Sequence, residues 1–374
     1  VIGPESEPWP GLVATGTWND ARLTALKTGG YRRFRVASKI KESENITSFY
    51  LTPADGGSVE MHQAGQFLPV RLRSNGEVFQ RSYTISQGPN GQNYRLSVKR
   101  EEYGVASRLL HDHCEAGDVI EVGSPAGSFV LDDSTQPIVM LSGGVGITPM
   151  MAMLDAQILA LEKGASRRMV YFVHATKNSA SQAFRRELRS MAQRYDWLRL
   201  FTAYSAPGPE DKLGDTHDTE VRLSVDALSR LLPFGGYQFY LCGPESFMRS
   251  LYAGLREIGV DPSHIHHEFF GAGELGEPGE VFPATVLPES AQITFTSSEV
   301  NAEWTSQSGT LLDVAEAAGL RPGYNCRSGK CGSCAARLVF GSVHYPRQPA
   351  IAPADGEVLV CCAVPAEGYV EIEL

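Results

Sequence analysis

Three closely spaced cysteines restrict this chain more than any other feature. Cys326, Cys331 and Cys334 stand at the spacing C-x4-C-x2-C in the stretch CRSGKCGSC. Arg, Ser, Gly and Lys separate them, which marks a loop rather than a core segment. A fourth, Cys361, follows with 26 residues between it and Cys334. Thiolates at this spacing form the ligand set of a [2Fe–2S] cluster. Gly329 and Gly332 would let backbone N–H groups turn toward such a cluster without a Cβ clash. Structural zinc is the alternative, but zinc sites usually pair two C-x2-C units and only one occurs here. Cys362 adjoins Cys361, and adjacent strand residues point to opposite faces, so one of the two turns inward. The pattern favours Cys361 as ligand and leaves Cys362 as a packing thiol.

A cluster loop needs a source of electrons, and 374 residues leave room for two or three domains. The formal charge of −10 argues against nucleic acid and against an anionic membrane surface. It suits solubility and docking on a protein partner. The N-terminal residues lack a basic stretch followed by an apolar run, and most cysteines fall in the C-terminal segment, so a reducing, cytoplasmic location is expected. Residues 137–161 are the nearest thing to a membrane span. Gly143-Gly144, the Gly-Ile-Thr-Pro stretch and Asp155 interrupt it, and no membrane partner is expected.

In chain order, residues 1–30 read as an N-terminal extension with a short helical pattern at 18–26. From 31 to 133 the pattern has period two: YRRFRVASKI, NITSFYLTP, QFLPVRLR, VFQRSYTIS, NYRLSVKR, DVIEV and GSFVL are short strands, with one helix at 104–112. Six or seven such strands suggest a closed antiparallel β-barrel. From 134 to 270 four apolar strands (IVMLSG, MVYFVHA, LRLFTAY, YQFYLCG) alternate with helices, the signature of a doubly wound parallel sheet. Residues 271–288 are rich in Gly and Pro and read as a linker. Residues 289–374 resume short strands around a helix opened by Thr310 and Asp313, a capping-box variant, and form a small α+β module.

Three stretches upstream could hold cofactors. Leu141-Ser-Gly-Gly-Val-Gly-Ile-Thr-Pro149 joins an apolar strand to a helix, where glycines let backbone approach a pyrophosphate. Arg81-Ser-Tyr-Thr84 ends a barrel strand: Arg can bind phosphate, Tyr can lie against a ring system, and Thr can hydrogen-bond a ring nitrogen. Gly104-Val-Ala-Ser107 opens a helix, another anion site.

With Cys242-Gly243-Pro244 and His267-Glu-Phe-Phe-Gly271, these motifs occur in the order of the ferredoxin-NADP reductase superfamily. The chain resembles the reductase portion of flavohaemoglobins and phthalate-dioxygenase-type reductases over 31–271, and its tail resembles plant-type ferredoxins. The resemblance implies a flavin barrel, a nicotinamide domain and a ferredoxin domain. It implies that Arg81, Tyr83 and Thr84 bind the flavin, that Ser97, Val98 and Lys99 border its ring, and that Gly104 and Ser107 meet its phosphate. Gly143, Gly144, Gly146 and Thr148 would cradle the nicotinamide dinucleotide. Cys242, followed by Gly243 and Pro244, would sit by the nicotinamide, with Glu268 and Phe270 behind the flavin. Thr84, Cys242 and Glu268 would be the catalytic set. FAD is favoured over FMN on SPAGSFVL and HHEFFG. NADH is favoured because Tyr204–Asp211 offers no cation for a 2′-phosphate before Lys212. The implied acceptor is the oxygenase component of a Rieske-type mono- or dioxygenase or demethylase, or else the missing N-terminal module of a longer fusion. Arg327, Ser328 and Lys330 in the cluster loop would face it. A zinc-stabilised binding module is the reading from a different class.

Overall fold

The computed structural model describes residues 30–270 and 287–374, apart from 75–76, 103, 221, 234, 321, 325–326, 328, 330–331, 347–348 and 350. The helix expected at 18–26 and nearly all of the expected linker lie outside the described residues. The chain divides into two compact units, Val1–Phe270 and Gly271–Leu374.

The period-two region forms β1 (Arg32–Lys41), β2 (Ile46–Pro53), β3 (Phe67–Ser74), β4 (Glu77–Thr84), β5 (Tyr94–Lys99) and β6 (Val119–Val122), with α1 (Val105–His113) before β6. They pair antiparallel in the order β4-β3-β6-β1-β2-β5. Beyond β4, a bridge between Ile85 and Leu96 and a Ser86 N–H bond to the Arg95 carbonyl join the two edges, closing the barrel. Alternation sends Leu51, Leu68, Val70, Ile85, Leu96 and Val98 into its core. The seventh strand expected at GSFVL does not form. Ala126 makes one bridge to Phe67, and Gly127, at φ +110, turns the chain out of the pleat.

The second half of this unit is a five-stranded parallel sheet. β7 (Ile138–Gly143), β8 (Val170–Thr176), β9 (Leu198–Tyr204), β10 (Gln238–Cys242) and β11 (Ile265–Glu268) lie in the order β11-β10-β7-β8-β9. Helices α2 (Ile147–Glu162), α3 (Arg185–Arg194), α4 (Val225–Leu231) and α5 (Glu245–Glu257) connect them. Every residue of β7 and β10 is buried, as expected of strands covered on both faces. Strand β11, Ile-His-His-Glu, is too short and polar for its sequence to announce a buried strand. Among the described residues one helical stretch, Gly144–Glu162, has the length and apolar composition to cross a membrane. In the fold Ile147–Leu154 are buried in the core.

The second unit holds a mixed sheet, β13-β12-β18-β14-β16: β12 (Ser290–Phe295), β13 (Val300–Thr305), β14 (Ala335–Phe340), β16 (Glu357–Leu359) and β18 (Tyr369–Glu373). A two-stranded pair, β15 (Val343–His344) with β17 (Val364–Pro365), completes it. Helix α6 (Leu311–Ala317) starts on a full capping box: Thr310 Oγ1 accepts the Asp313 N–H, and the Asp313 carboxylate accepts the Thr310 N–H at 2.8 Å.

Candidate active site

The chain leaves β7 toward β8 and β9, then returns to β10 on the other side of β7. The carboxyl ends of β7 and β10 therefore flank a topological switch point, where open α/β sheets bind ligands. Three glycines let the two loops touch there. A Cβ on Gly146 would lie 2.2 Å from the Cys242 carbonyl oxygen, one on Gly143 2.8 Å from Pro244 Cδ, and one on Gly243 3.0 Å from Gly143 Cα. Gly144 is different. It sits at φ +53 and a Cβ there would meet nothing within 4 Å, so the crest of the loop is open. This is a backbone cradle of the kind a dinucleotide phosphate needs. Thr148 is buried, and its hydroxyl donates to the Val145 carbonyl at 3.0 Å, holding the turn.

A single register row crosses the sheet just below the cradle: Glu268, Cys242, Ser142, His174 and Thr202. Cys242 is fully buried. Ser142 Oγ lies 2.9 Å from His174 Nδ1, and His174 Nε2 is buried without a hydrogen-bond partner. Burial pushes the His174 pKa down to about 4, so the ring is neutral at physiological pH. No local motif marked Ser142 or His174, because only the pairing of β7 with β8 joins them. Glu268 is buried at the end of β11, and Phe270, past its end, is exposed.

On the barrel, alternation gives the Arg81–Thr84 stretch two faces. Tyr83 packs against the barrel core, and burial pushes its phenol well above the ordinary range. Ser82 and Thr84 point to the outer face, as do Ser97 and Lys99 on β5. Ser82 Oγ is buried with no hydrogen-bond partner, an orphaned polar atom beside the buried Thr84. Arg81 donates to the Gln80 carbonyl at 2.7 Å. Lys99 pairs with Glu101 at 2.8 Å. Val98 turns its side chain into the core, and its carbonyl lies 2.8 Å from His111 Nε2, so it can border a ring only through its backbone. At the start of α1, Ser107 Oγ accepts the Glu101 N–H and donates to the Gly104 carbonyl, and a Cβ on Gly104 would fall 2.6 Å from Ser107 Oγ.

The barrel and the parallel sheet meet across a polar seam. Arg95, with its side chain 5% exposed, pairs with Glu187 of α3 at 3.0 Å and donates to the Ser86 carbonyl. Asp155 of α2 accepts the Gly88 N–H at 3.2 Å, and burial raises its carboxyl to about 6.

In the second unit Cys334 and Cys361 are buried in the core, while Cys362 is half-buried. Cys326 and Cys331 lie outside the described residues. Gly329 and Gly332 hold φ of +67 and +70, the left-handed region glycine permits. A Cβ on Gly329 would lie 2.9 Å from Cys362 Sγ, so that thiol packs against the loop. Arg327 does not offer a free cation to a partner. Its guanidinium bonds Asp313 at 3.1 Å and also Glu316, and it lies 4.3 Å from the Tyr324 ring centre. The two carboxylates of α6 compensate the charge expected to face an acceptor. Ser328 and Lys330 lie outside the described residues.

These residues fit the groups their chemistry suggests: an open glycine crest for a dinucleotide, an orphaned hydroxyl for a flavin, and left-handed glycines with buried thiols for a cluster. When bound, a flavin takes up the two electrons of a hydride together and releases them singly, and a [2Fe–2S] cluster carries one.

Comparison with known proteins agrees with this assignment. Residues 33–131 match the oxidoreductase FAD-binding domain, 140–252 the oxidoreductase NAD-binding domain, and 293–366 the 2Fe-2S iron-sulfur cluster binding domain. The flavohemoprotein of Bacillus cereus is 42% identical over 258 residues, covering 66% of this chain and 63% of the relative. That of Deinococcus radiodurans is 41% identical over 270 residues, covering 72% and 64%. The chain thus spans less than two thirds of the length of these curated relatives. The FAD/NAD-binding domain of a Vibrio cholerae nitric oxide dioxygenase superposes with a TM-score of 0.57 at 33% identity, over 64% of this chain and 98% of that one. Phthalate dioxygenase reductase shares the fold over 93% of this chain and 99% of its own, with a TM-score of 0.59 at 23% identity.

The chain belongs to the oxidoreductases that join an FAD-binding barrel to an NAD-binding domain, and it carries a 2Fe–2S domain behind them. It is an NAD(P)H-dependent flavin oxidoreductase whose flavin is FAD. The 2Fe–2S match removes the zinc-module reading.

Proposed function

We propose that this chain takes electrons from NADH and hands them, through FAD and the 2Fe–2S cluster, to the oxygenase component of a Rieske-type mono- or dioxygenase or demethylase. The observation that carries the reading is the three-domain order, shared over 93% of the chain with phthalate dioxygenase reductase, a modular structure for electron transfer from pyridine nucleotides to [2Fe–2S]. Coenzyme choice rests on the loop after β9. Its backbone folds onto the end of β8 through Ser205 and Ala206, and Asp211 accepts the Gly208 N–H at 2.7 Å. That the loop presents an acid, Asp211, ahead of its first cation, Lys212, favours a free 2′-hydroxyl. Lys177, exposed just past the end of β8, is a nearby cation that no local motif marks.

A second reading has its own support. The same three-domain fold covers 92% of this chain but only 41% of an intact type IV self-sufficient cytochrome P450 monooxygenase (TM-score 0.61, 22% identity). The acceptor would then be a module of the same polypeptide. Reconstitution with a purified Rieske oxygenase tests the choice. NADH-driven reduction of the oxygenase, lost in Cys361→Ser and kept in Cys362→Ser with iron content following the same pattern, supports the first reading. Reduction of a haem acceptor alone favours the second. Preferential reduction by NADPH would overturn the coenzyme assignment.

A further inference from the structure

The outer face of the barrel carries a chain of buried hydroxyls of which the flavin assignment uses only Ser97. Ser86 Oγ lies 2.6 Å from Ser97 Oγ, Ser97 Oγ lies 2.7 Å from Ser48 Oγ, and Ser48 Oγ donates to the Glu42 carboxylate at 2.6 Å. Ser86 and Ser48 are fully buried and Ser97 is 4% exposed, whereas Glu42 is half-buried. Strand parity places all three serines on the face that also bears Thr84 and Ser82. Ile85, Leu96, Val98 and Phe49 alternate with them and point into the barrel core. Ser48 and Ser97 are direct cross-strand partners on β2 and β5. The row thus runs from two residues beyond Thr84 to the margin of the seam.

The hydroxyl directions are consistent with transfer one way. Ser48 donates to Glu42, which leaves its oxygen to accept from Ser97, and Ser97 in turn can accept from Ser86. The Ser86 proton has a second acceptor in the Arg95 carbonyl at 3.0 Å, so it can swing between two partners. Three buried hydroxyls in unbroken contact are costly unless bonded, and here each has a partner.

Stoichiometry requires that a proton leave the site. Oxidation of NADH by two one-electron acceptors gives NAD⁺, two electrons and one proton. If the electrons leave singly for the 2Fe–2S domain, as proposed above, the proton is left behind and must reach water. We propose that Ser86, Ser97, Ser48 and Glu42 form the proton exit of the flavin site. In each hop one O–H bond breaks as the next forms, the Glu42 carboxylate takes the proton, and water removes it. Burial raises the Glu42 carboxyl above its ordinary range, against the Ser48 hydrogen bond and the nearby Arg95, which suits a group that must hold a proton briefly. Glu187 adds to that rise from the facing helix α3.

Stopped-flow mixing of the holoprotein with NADH, in weak buffer with a pH-indicator dye, tests the exit. With half an equivalent of NADH, so that two clusters take the two electrons of each hydride, one proton should appear per NADH in the wild type, together with cluster reduction. Ser48→Ala and Glu42→Gln should each slow proton release and cluster reduction together, on the order of tenfold, with an enlarged solvent isotope effect. Flavin content and the rate of flavin bleaching should stay at wild-type values, and Ser48→Thr should restore the fast release. Unchanged proton release in both Ser48→Ala and Glu42→Gln would overturn the exit. A wild-type cluster that NADH never reduces would instead overturn the electron-transfer reading on which the exit rests.

Discussion

The glycine cradle at the ends of β7 and β10 and the outer face of the barrel belong to one compact unit but are built from opposite materials. The cradle is backbone: Gly143, Gly146 and Gly243 bring two loops into contact, and the functional surface is what remains when no side chain stands there. The barrel face is side chain: Ser82, Thr84, Ser86, Ser97 and Ser48 supply hydroxyls from three different strands. In the cradle a single added methyl is the largest perturbation available. On the face, a methyl matters less than the loss of one oxygen.

The strongest way to break that contrast is Gly146→Ala. Its Cβ would meet the Cys242 carbonyl at 2.2 Å, with backbone on both sides and nothing flexible to yield. The expected outcome is loss of the cooperative melting transition of the first unit and of NADH oxidation, read by calorimetry and stopped flow. A variant that melts normally would show the two loops to be less tightly joined.

Next in size is Arg95→Met at the seam between the two regions. It removes the buried donor to the Ser86 carbonyl and leaves Glu187, a third exposed, without its partner beside Glu42 and Asp155, and should cost about 2–3 kcal/mol in chemical denaturation. A milder change in the same place is Asp155→Asn, which keeps an acceptor for the Gly88 N–H. The folded carboxyl titrates near 6, above its ordinary value of 3.8, so the unfolded chain ionises first. Stability from the protonated group is full below about pH 4 and is lost as pH rises through 6. Asp155→Asn should therefore raise stability by about 1–2 kcal/mol at pH 8 and hardly at all at pH 4. A gain of equal size at both pH values would contradict the burial of this carboxylate.

The smallest effect separates the roles of two glycines in one loop. Gly144→Ala strains a left-handed residue by about 1 kcal/mol but meets no protein atom. The fold should survive while the KM for NADH rises roughly fivefold, since the new methyl stands in the open crest. An unchanged KM would place the dinucleotide elsewhere.

The same contrast explains what could be read from sequence. Gly143, Gly146 and Gly243 were visible because a glycine demanded by close approach is a local signal, flanked by an apolar strand and a helix. The barrel strands and the buried β7 and β10 were visible through their periods of two and their continuous apolar runs. The Ser48–Ser97–Ser86 row was not visible, since it exists only through the pairing of β2 with β5 and the closure at Ile85. The Ser142–His174 pair was hidden for the same reason. The compensation of Arg327 is invisible in sequence because its partners Asp313 and Glu316 come from a preceding helix, and a charge in a loop says nothing of what folds back to meet it. The expected GSFVL strand failed on one dihedral, Gly127 at φ +110, which no period of two records.

The central claim is that electrons entering from NADH reach the 2Fe–2S domain through the flavin. Anaerobic addition of one equivalent of NADH to the reconstituted holoprotein, followed by optical and electron paramagnetic resonance spectra, tests it directly. The expected result is flavin bleaching followed by the signal of a reduced [2Fe–2S] cluster in the same molecules. A bleached flavin with a cluster that stays oxidised and silent would contradict it.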